Sequence, residues 1–374
     1  MGVIIRATTA PGIEDVAQDE GSALLAREGF PAVDAGESGA CLRLPGVVVW
    51  ELEPGVTVDE VRRGDPLRSA RSLFHVAVHV AEVAWDGRTL ASLLRGVERT
   101  ELAELHDAES FRVSCSRVGE HDFQSPEVER ETGSIVQARY GTAVDLEAYA
   151  VHVKVDIVGP RAFCGYQLTR RKGLDRRYRW VYHPRVTLRT PIAYAMLVIA
   201  GYASRPDALH DPFCGSGTIL LESAAIAAHG GAGMPALSGS DWDTRAVEGT
   251  RANLSAAGVA GVRVSRIDAR ELAATVRERS LAYIVTNPPF GIRLAKGLSL
   301  FSLYDSLLGS AAKVLRPGGT LALLVGRQRG TFNRALRAYP EFGREHVRVV
   351  EMGGVYAALY VLRLGAIDGA PSAE

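Results

Sequence analysis

From Ala208 onward, short apolar runs alternate with longer stretches of mixed apolar and polar positions. Ala208–Phe213, Ala236–Asp241, Val262–Ile267, Leu281–Val285 and Thr320–Val325 are predicted strands. Thr218–Ala228, Arg245–Ala257, Glu271–Arg279 and Leu300–Leu315 are predicted helices, stopped where glycine or an Arg-Pro-Gly-Gly run intervenes. Such alternation requires a parallel sheet covered on both faces. Val347–Met352 and Tyr356–Leu364 close the pattern with no room for a helix between them, so this last pair is antiparallel. The expectation is an α/β unit with a seven-stranded sheet whose last strand is antiparallel.

The first 170 residues pattern differently. Predicted strands Ala40–Leu44, Val47–Glu51, Ser110–Ser116 and Val151–Ile157 alternate with helices Ile13–Glu28 and Glu127–Arg139, without a glycine-rich cofactor turn. This predicts α+β modules, with a boundary near Gly64-Asp-Pro66. The expected divisions are 1–65, 66–170, a basic linker 171–188, the α/β domain 189–366 and a tail 367–374.

Composition changes this picture little. The 374 residues have 47% hydrophobic and 23% charged content, which excludes a disordered chain and calls for more than one domain. Positive and negative charges balance at 43 each, so only local clustering can point to nucleic acid. Cys41, Cys115, Cys164 and Cys214 show no metal spacing, and no metal is expected; they read as reduced thiols of a cytoplasmic protein. No signal peptide is expected. The longest apolar stretch, Ile192–Ala203, is too short to span a bilayer, so no membrane partner is expected.

One cluster stands out. Arg170, Arg171, Lys172, Arg176, Arg177 and Arg179 surround a single acid, with Tyr178 and Trp180 interleaved. Either this is a solvated linker, or it is a strip that contacts RNA phosphates.

The candidate chemistry lies in two segments. Asp211-Pro-Phe-Cys-Gly-Ser-Gly-Thr218 is a strand end followed by a glycine turn that opens a helix. Ligands of parallel sheets bind beyond the carboxyl ends of the strands, and glycine allows close approach to the backbone. A dinucleotide site calls for G-x-G-x-x-G and a pyrophosphate, but here the third glycine is absent and a carboxylate opens the turn. Asp211 suits an α-amino group, Asp241 a ribose diol and Asp268 an adenine amine. S-adenosylmethionine, which carries these groups and no phosphate, fits the set. The pocket is expected from Asp211, Phe213, Cys214, Gly215, Gly217, Thr218, Asp241, Asp268, Ala269 and Asn287.

The second segment is Thr286-Asn-Pro-Pro-Phe-Gly291. Two prolines stiffen the backbone and remove its donors. The Asn287 side-chain oxygen and the Pro288 carbonyl then accept both hydrogens of a planar exocyclic amine. That favours the pyramidal, nucleophilic amine as charge develops, a form of transition-state electrostatics. Pro289 completes the clamp, and Phe290 offers a face for a flipped base. Guanine and adenine amines both satisfy this clamp.

Asp211–Glu222 and Asn287–Arg293 resemble class I, Rossmann-like methyltransferases with a (D/N)PP(Y/F) motif. Thr8–Glu14 resembles the start of an N-terminal ferredoxin-like domain. Phe111–Arg117, with Gly119, His121, Phe123 and Ser125, resembles a THUMP core, and Leu188–Ala195 a helix that covers the cofactor. The whole chain is thus similar to THUMP-domain RNA guanosine methyltransferases of the TrmN type. The resemblance implies N(2)-methylation of a guanosine in a tRNA acceptor stem, at position six, with the THUMP domain holding the acceptor end. A monomer is expected. Related rRNA enzymes share Asn-Pro-Pro-aromatic-Gly followed by an arginine, as at Arg293, which would either position substrate or pair with a nearby acid; an rRNA substrate, an adenine amine and a non-catalytic RNA-binding protein with an inactive cofactor site are the alternatives.

Overall fold

The computed structural model describes residues 3–33, 44–169, 173–229, 233–290 and 299–365. It forms two compact units, Met1–Thr9 with Ala17–Leu174, and Ala10–Val16 with Asp175–Glu374.

The first unit carries a single eight-stranded sheet. Strands on both sides of the expected boundary at Gly64–Pro66 join it: Ile4–Thr8 pairs antiparallel with both Val47–Leu52 and His75–Glu82. His75–Glu82 in turn pairs with Arg161–Gln167. The two expected modules therefore share one sheet and one core, from Val3 and Trp50 to Phe111 and Tyr166. A buried ionic knot also spans the sheet. Asp156, with no exposed surface, meets Arg6 at 3.3 Å, His79 at 3.0 Å and Lys154 at 3.7 Å, and accepts from the Ser116 hydroxyl. Burial raises its pKa, but the His79 hydrogen bond and the two cations outweigh this and hold it below the usual carboxylate range.

In the second unit, seven strands run in the order Arg263–Arg266, Leu237–Asp241, Leu209–Asp211, Leu281–Thr286, Leu315–Val325, Tyr356–Leu364, Phe342–Glu351. The first five are parallel, and Tyr356–Leu364 is antiparallel to both neighbours. Two local expectations change. The helix expected at Glu271–Arg279 shrinks to Leu272–Thr275 after a short 3-10 turn. Arg329–Leu336, unassigned in the sequence, is a helix whose Phe332 and Ala335 are wholly buried. The strand expected at Ala40–Leu44 falls almost entirely outside the described residues.

The central strands carry near-continuous apolar runs because both faces are covered. The order reverses beside Leu209–Asp211, the first strand in sequence. Its carboxyl end and that of Leu281–Thr286 adjoin, and both candidate motifs lie there.

Candidate active site

Gly215 and Gly217 have φ of +52° and +83°, which a side chain rarely adopts. They differ in what a Cβ would meet. At Gly217 it would lie 2.9 Å from the Thr250 methyl, whereas at Gly215 nothing lies closer than 3.8 Å. The turn is therefore packed behind Gly217 and open in front of Gly215, as a cradle for a ligand must be. Thr218 begins the following helix and is buried, with its hydroxyl 3.1 Å from that of Ser216. Cys214 is buried, its thiol pKa pushed up by burial, so it is no nucleophile. Phe213 packs partly into the apolar core.

The acids separate into two kinds. Asp211 is buried, and burial pushes its pKa up to about 7. Its Oδ1 accepts from the Thr286 hydroxyl at 2.6 Å and from the Phe213 N–H at 3.1 Å. Asp241 ends the next strand. Its two oxygens accept from the N–H groups of Gly215 (3.1 Å) and Asp243 (3.0 Å), and burial raises its pKa as well. Both are held where a bound cation or hydroxyl pair would relieve a desolvated charge. Asp268 behaves otherwise. It caps the short turn through the Arg270 N–H and pairs with the Arg270 guanidinium at 2.6 Å, which lowers its pKa. The expectation of an acceptor free for an adenine amine meets an internal cap and ion pair instead. Ala269, next to it, is buried.

The clamp follows directly from Thr286, which is fully buried. Asn287 Oδ1 is buried and has no hydrogen-bond partner among the described residues. A buried amide oxygen without a partner is costly and uncommon, so Asn287 is a candidate acceptor. Pro288 is buried, Pro289 exposed and Phe290 half-buried. The Phe290 ring rests on Gly326, where a Cβ would come within 2.6 Å of it.

The basic cluster divides. Arg170, Arg171 and Lys172 lie outside the described residues, as does Arg293. Arg176 and Arg179 are exposed. Arg177 does not face outward as a phosphate contact would. It meets the fully buried Glu222 at 3.7 Å and donates to the Thr190 hydroxyl at 3.3 Å. Beyond it the rings of Tyr178, Trp180 and His183 stand 5.9 and 5.6 Å apart in series. Among the described residues no cluster of three metal-ligating side chains occurs, and no helix is long and apolar enough to cross a membrane.

The sequence pattern assigns no role to Thr250, Asn253 or Trp242, and none to Thr286 beyond opening the clamp segment. Trp242 directly follows Asp241 and is 66% exposed. An exposed indole beside an acidic strand end is a signal visible in the sequence. The other three act through contacts with residues far along the chain and leave no local signal.

Comparison with known proteins now becomes decisive. A model described as an RMKL-like methyltransferase domain matches residues 176–358, and a THUMP-domain model matches residues 88–163. A tRNA (guanine(6)-N2)-methyltransferase of Thermus thermophilus is 40% identical over 370 residues, 96% of this chain and 98% of that protein. The chain belongs to the THUMP-domain RNA methyltransferases of the TrmN type. The crystal structure of TrmN from Thermus thermophilus superposes with a TM-score of 0.77 at 35% identity, covering 97% of this chain and 99% of that one. A putative methyltransferase, SMU.472, solved with S-adenosylhomocysteine, shares the fold at 17% identity and a TM-score of 0.71, covering 98% and 100% of the two chains. Members of this family use S-adenosylmethionine. The open face of Gly215 and the desolvated pair Asp211 and Asp241 fit that cofactor.

Proposed function

We propose that this protein methylates the exocyclic 2-amino group of a guanosine in the acceptor stem of tRNA, at position six. The bound S-adenosylmethionine supplies an electrophilic methyl group. Asp211 holds the cationic α-amino end, and Asp241 takes the ribose diol. Trp242 offers a flat apolar face beside Asp241. Asn287 Oδ1 and the Pro288 carbonyl accept the two amine hydrogens, which localises the nitrogen lone pair for in-line attack. These two acceptors would stabilise the positive charge where it forms; as the N–CH3 bond formed, the sulfonium C–S bond would break, S-adenosylhomocysteine would leave, and the proton made acidic by methylation would pass to water, so no strong general base is needed. Phe290 stacks on the extruded base.

The observation that carries this reading is the buried Oδ1 of Asn287, which has no hydrogen-bond partner among the described residues, immediately after Thr286, which hydrogen-bonds Asp211. The choice of a tRNA guanosine is supported by the near full-length Thermus relative and the THUMP match. For the grip on the acceptor end, support comes from the THUMP match at residues 88–163; the first unit also holds a cleft of about 640 Å³ lined by Arg62, Tyr149, His152, Tyr166 and Gln167 together with the acids Asp65 and Glu147. There the Tyr166 hydroxyl and His152 Nδ1 are buried without hydrogen-bond partners among the described residues. Arg176 and Arg179, with the adjacent rings, form an exposed strip suited to RNA phosphates and bases.

The test is methyl transfer from labelled S-adenosylmethionine to total RNA, followed by nucleoside analysis of separated tRNA and rRNA. N(2)-methylguanosine in tRNA, mapped to position six, is expected. Label confined to rRNA, or appearing as methyladenosine, would refute the proposal.

A further inference from the structure

Asn253 sits on the helix Thr244–Ala256 with 1% of its surface exposed. Its Oδ1 accepts from the backbone N–H groups of Val181 at 2.8 Å and Tyr182 at 2.9 Å. Its Nδ2 donates to the carbonyls of Tyr182 at 2.8 Å and Ser216 at 2.9 Å. A carboxamide offers two acceptor sites and two hydrogens, and all four are used. The partners also determine its orientation. Turning the amide over would set hydrogens against hydrogens and oxygen against oxygen. Asp at this position would lack the donors, and Gln would be one carbon too long.

These four bonds join segments distant in sequence. Ser216 lies between the two glycines of the cofactor turn. Val181 and Tyr182 belong to the segment that exposes Arg176 and Arg179. The same helix repeats the pattern. Thr250 Oγ1 donates to the Gly215 carbonyl at 2.9 Å. A Cβ on Gly249 would fall 2.2 Å from the Tyr182 ring, so the helix is bare where that ring lies against it. Asp243, the N-cap residue, donates its N–H to Asp241 Oδ1 at 3.0 Å. One helix therefore touches the strand-end acid, the cofactor turn and the basic-aromatic segment.

We propose that Asn253 is a positioning residue that locks the Val181-Tyr182 segment to the cofactor turn. One side chain then sets both the shape of the cofactor pocket and the placement of the exposed basic strip. This rests on the reading of that pocket and strip given above. Removing the carboxamide strips partners from four backbone groups at once, and buried groups without partners drive the chain to rearrange.

Asn253→Asp tests it, since it preserves shape and replaces the donor by a second acceptor. The dissociation constant of S-adenosylhomocysteine, measured by calorimetry, should rise roughly tenfold, and the KM for tRNA by a similar factor. At saturating cofactor and tRNA, kcat should stay within about threefold of the parent, because the clamp is untouched. Gly249→Ala provides a second measurement that leaves Ser216 alone. It displaces Tyr182 and should raise the KM for tRNA with cofactor affinity unchanged. If Asn253→Asp does not fold, Gly249→Ala decides alone. A folded Asn253→Asp that only melts earlier, with affinity and KM at parental values, overturns the proposal, as does an unchanged KM in Gly249→Ala. Failure of the parent itself to bind S-adenosylhomocysteine would instead sink the pocket reading, so the two failures are distinguishable.

Discussion

The Thr286 hydroxyl donates to Asp211 Oδ1 at 2.6 Å, in a site where both residues are buried. This bond joins the last residue of the strand before the Asn-Pro-Pro clamp to the acid that opens the cofactor turn. The clamp and the cofactor acid are thus set relative to one another by a single short contact. Its removal should be felt at the cofactor. In Thr286→Val the donor that lowers the Asp211 pKa is lost. Affinity for S-adenosylhomocysteine at neutral pH should fall several-fold, and the pH midpoint of binding should move upward, as followed by calorimetry across pH.

Asp211 itself predicts a pH dependence of cofactor binding. Its pKa is pushed up from 3.8 to about 7, first by burial. In the folded protein without ligand, the stability this acid contributes is full below 3.8 and is lost as pH rises through about 7. A cationic amine binds the ionised form, so binding works in the opposite sense. Affinity for S-adenosylhomocysteine should increase several-fold between about pH 6 and 7.5, with proton release. Asp211→Asn should bind weakly and flatten this profile. A parental profile that is already flat would contradict the assignment.

Asn287→Ala removes the acceptor that lacks a partner. Turnover should drop by roughly 10²–10³, by analogy with loss of one preorganised transition-state contact. Cofactor affinity should change little if Asn287 acts chiefly on the amine. Single-turnover methyl transfer beside calorimetry measures both. Unchanged turnover would remove the clamp from the mechanism.

Arg176, Arg177 and Arg179 should part company. Neutralising Arg176 and Arg179 should lower RNA affinity and reduce the salt slope by about one to two units, without altering the melting temperature. Arg177→Met should act on folding instead. It takes a positive partner from the fully buried Glu222, at a cost on the order of 2 kcal/mol. Fluorescence titrations at several salt concentrations and thermal denaturation separate the two effects.

The α/β half was legible in detail. The strand Tyr356–Leu364 was read to the residue, and the helix at Thr218 to within one residue at its end. Local chemistry suffices there: apolar runs form strands buried on both faces, and glycine marks the turns. Arg329–Leu336 was missed because it follows a strand end with weak start signals and is held by packing of Phe332. In the first unit Val47–Leu52, Ser110–Val118 and Val151–Val158 were readable, but Ile4–Thr8, His75–Glu82 and Arg161–Gln167, through which they join one sheet, were not. Antiparallel pairing over tens of residues is chosen by the whole set of partners.

By itself the sequence pointed to the chemistry on offer: a cofactor turn without the pyrophosphate fingerprint, three acids expected at strand ends and the Asn-Pro-Pro segment proposed as an amine clamp, each encoded within a few consecutive residues. Only the tertiary structure decided which side chains serve that chemistry and which serve the fold. It turned Arg177 inward to Glu222, tied Asp268 to Arg270, joined Thr286 to Asp211 and bound Ser216 to Val181-Tyr182 through Asn253. The contacts Arg177–Glu222, Thr286–Asp211 and Asn253–Ser216 link residues between 37 and 75 positions apart. Asp268 and Arg270 are two apart, and there the short turn chose the pairing. For the long-range contacts, side-chain direction follows from how the strands and helices pack, which a local stretch of sequence does not carry.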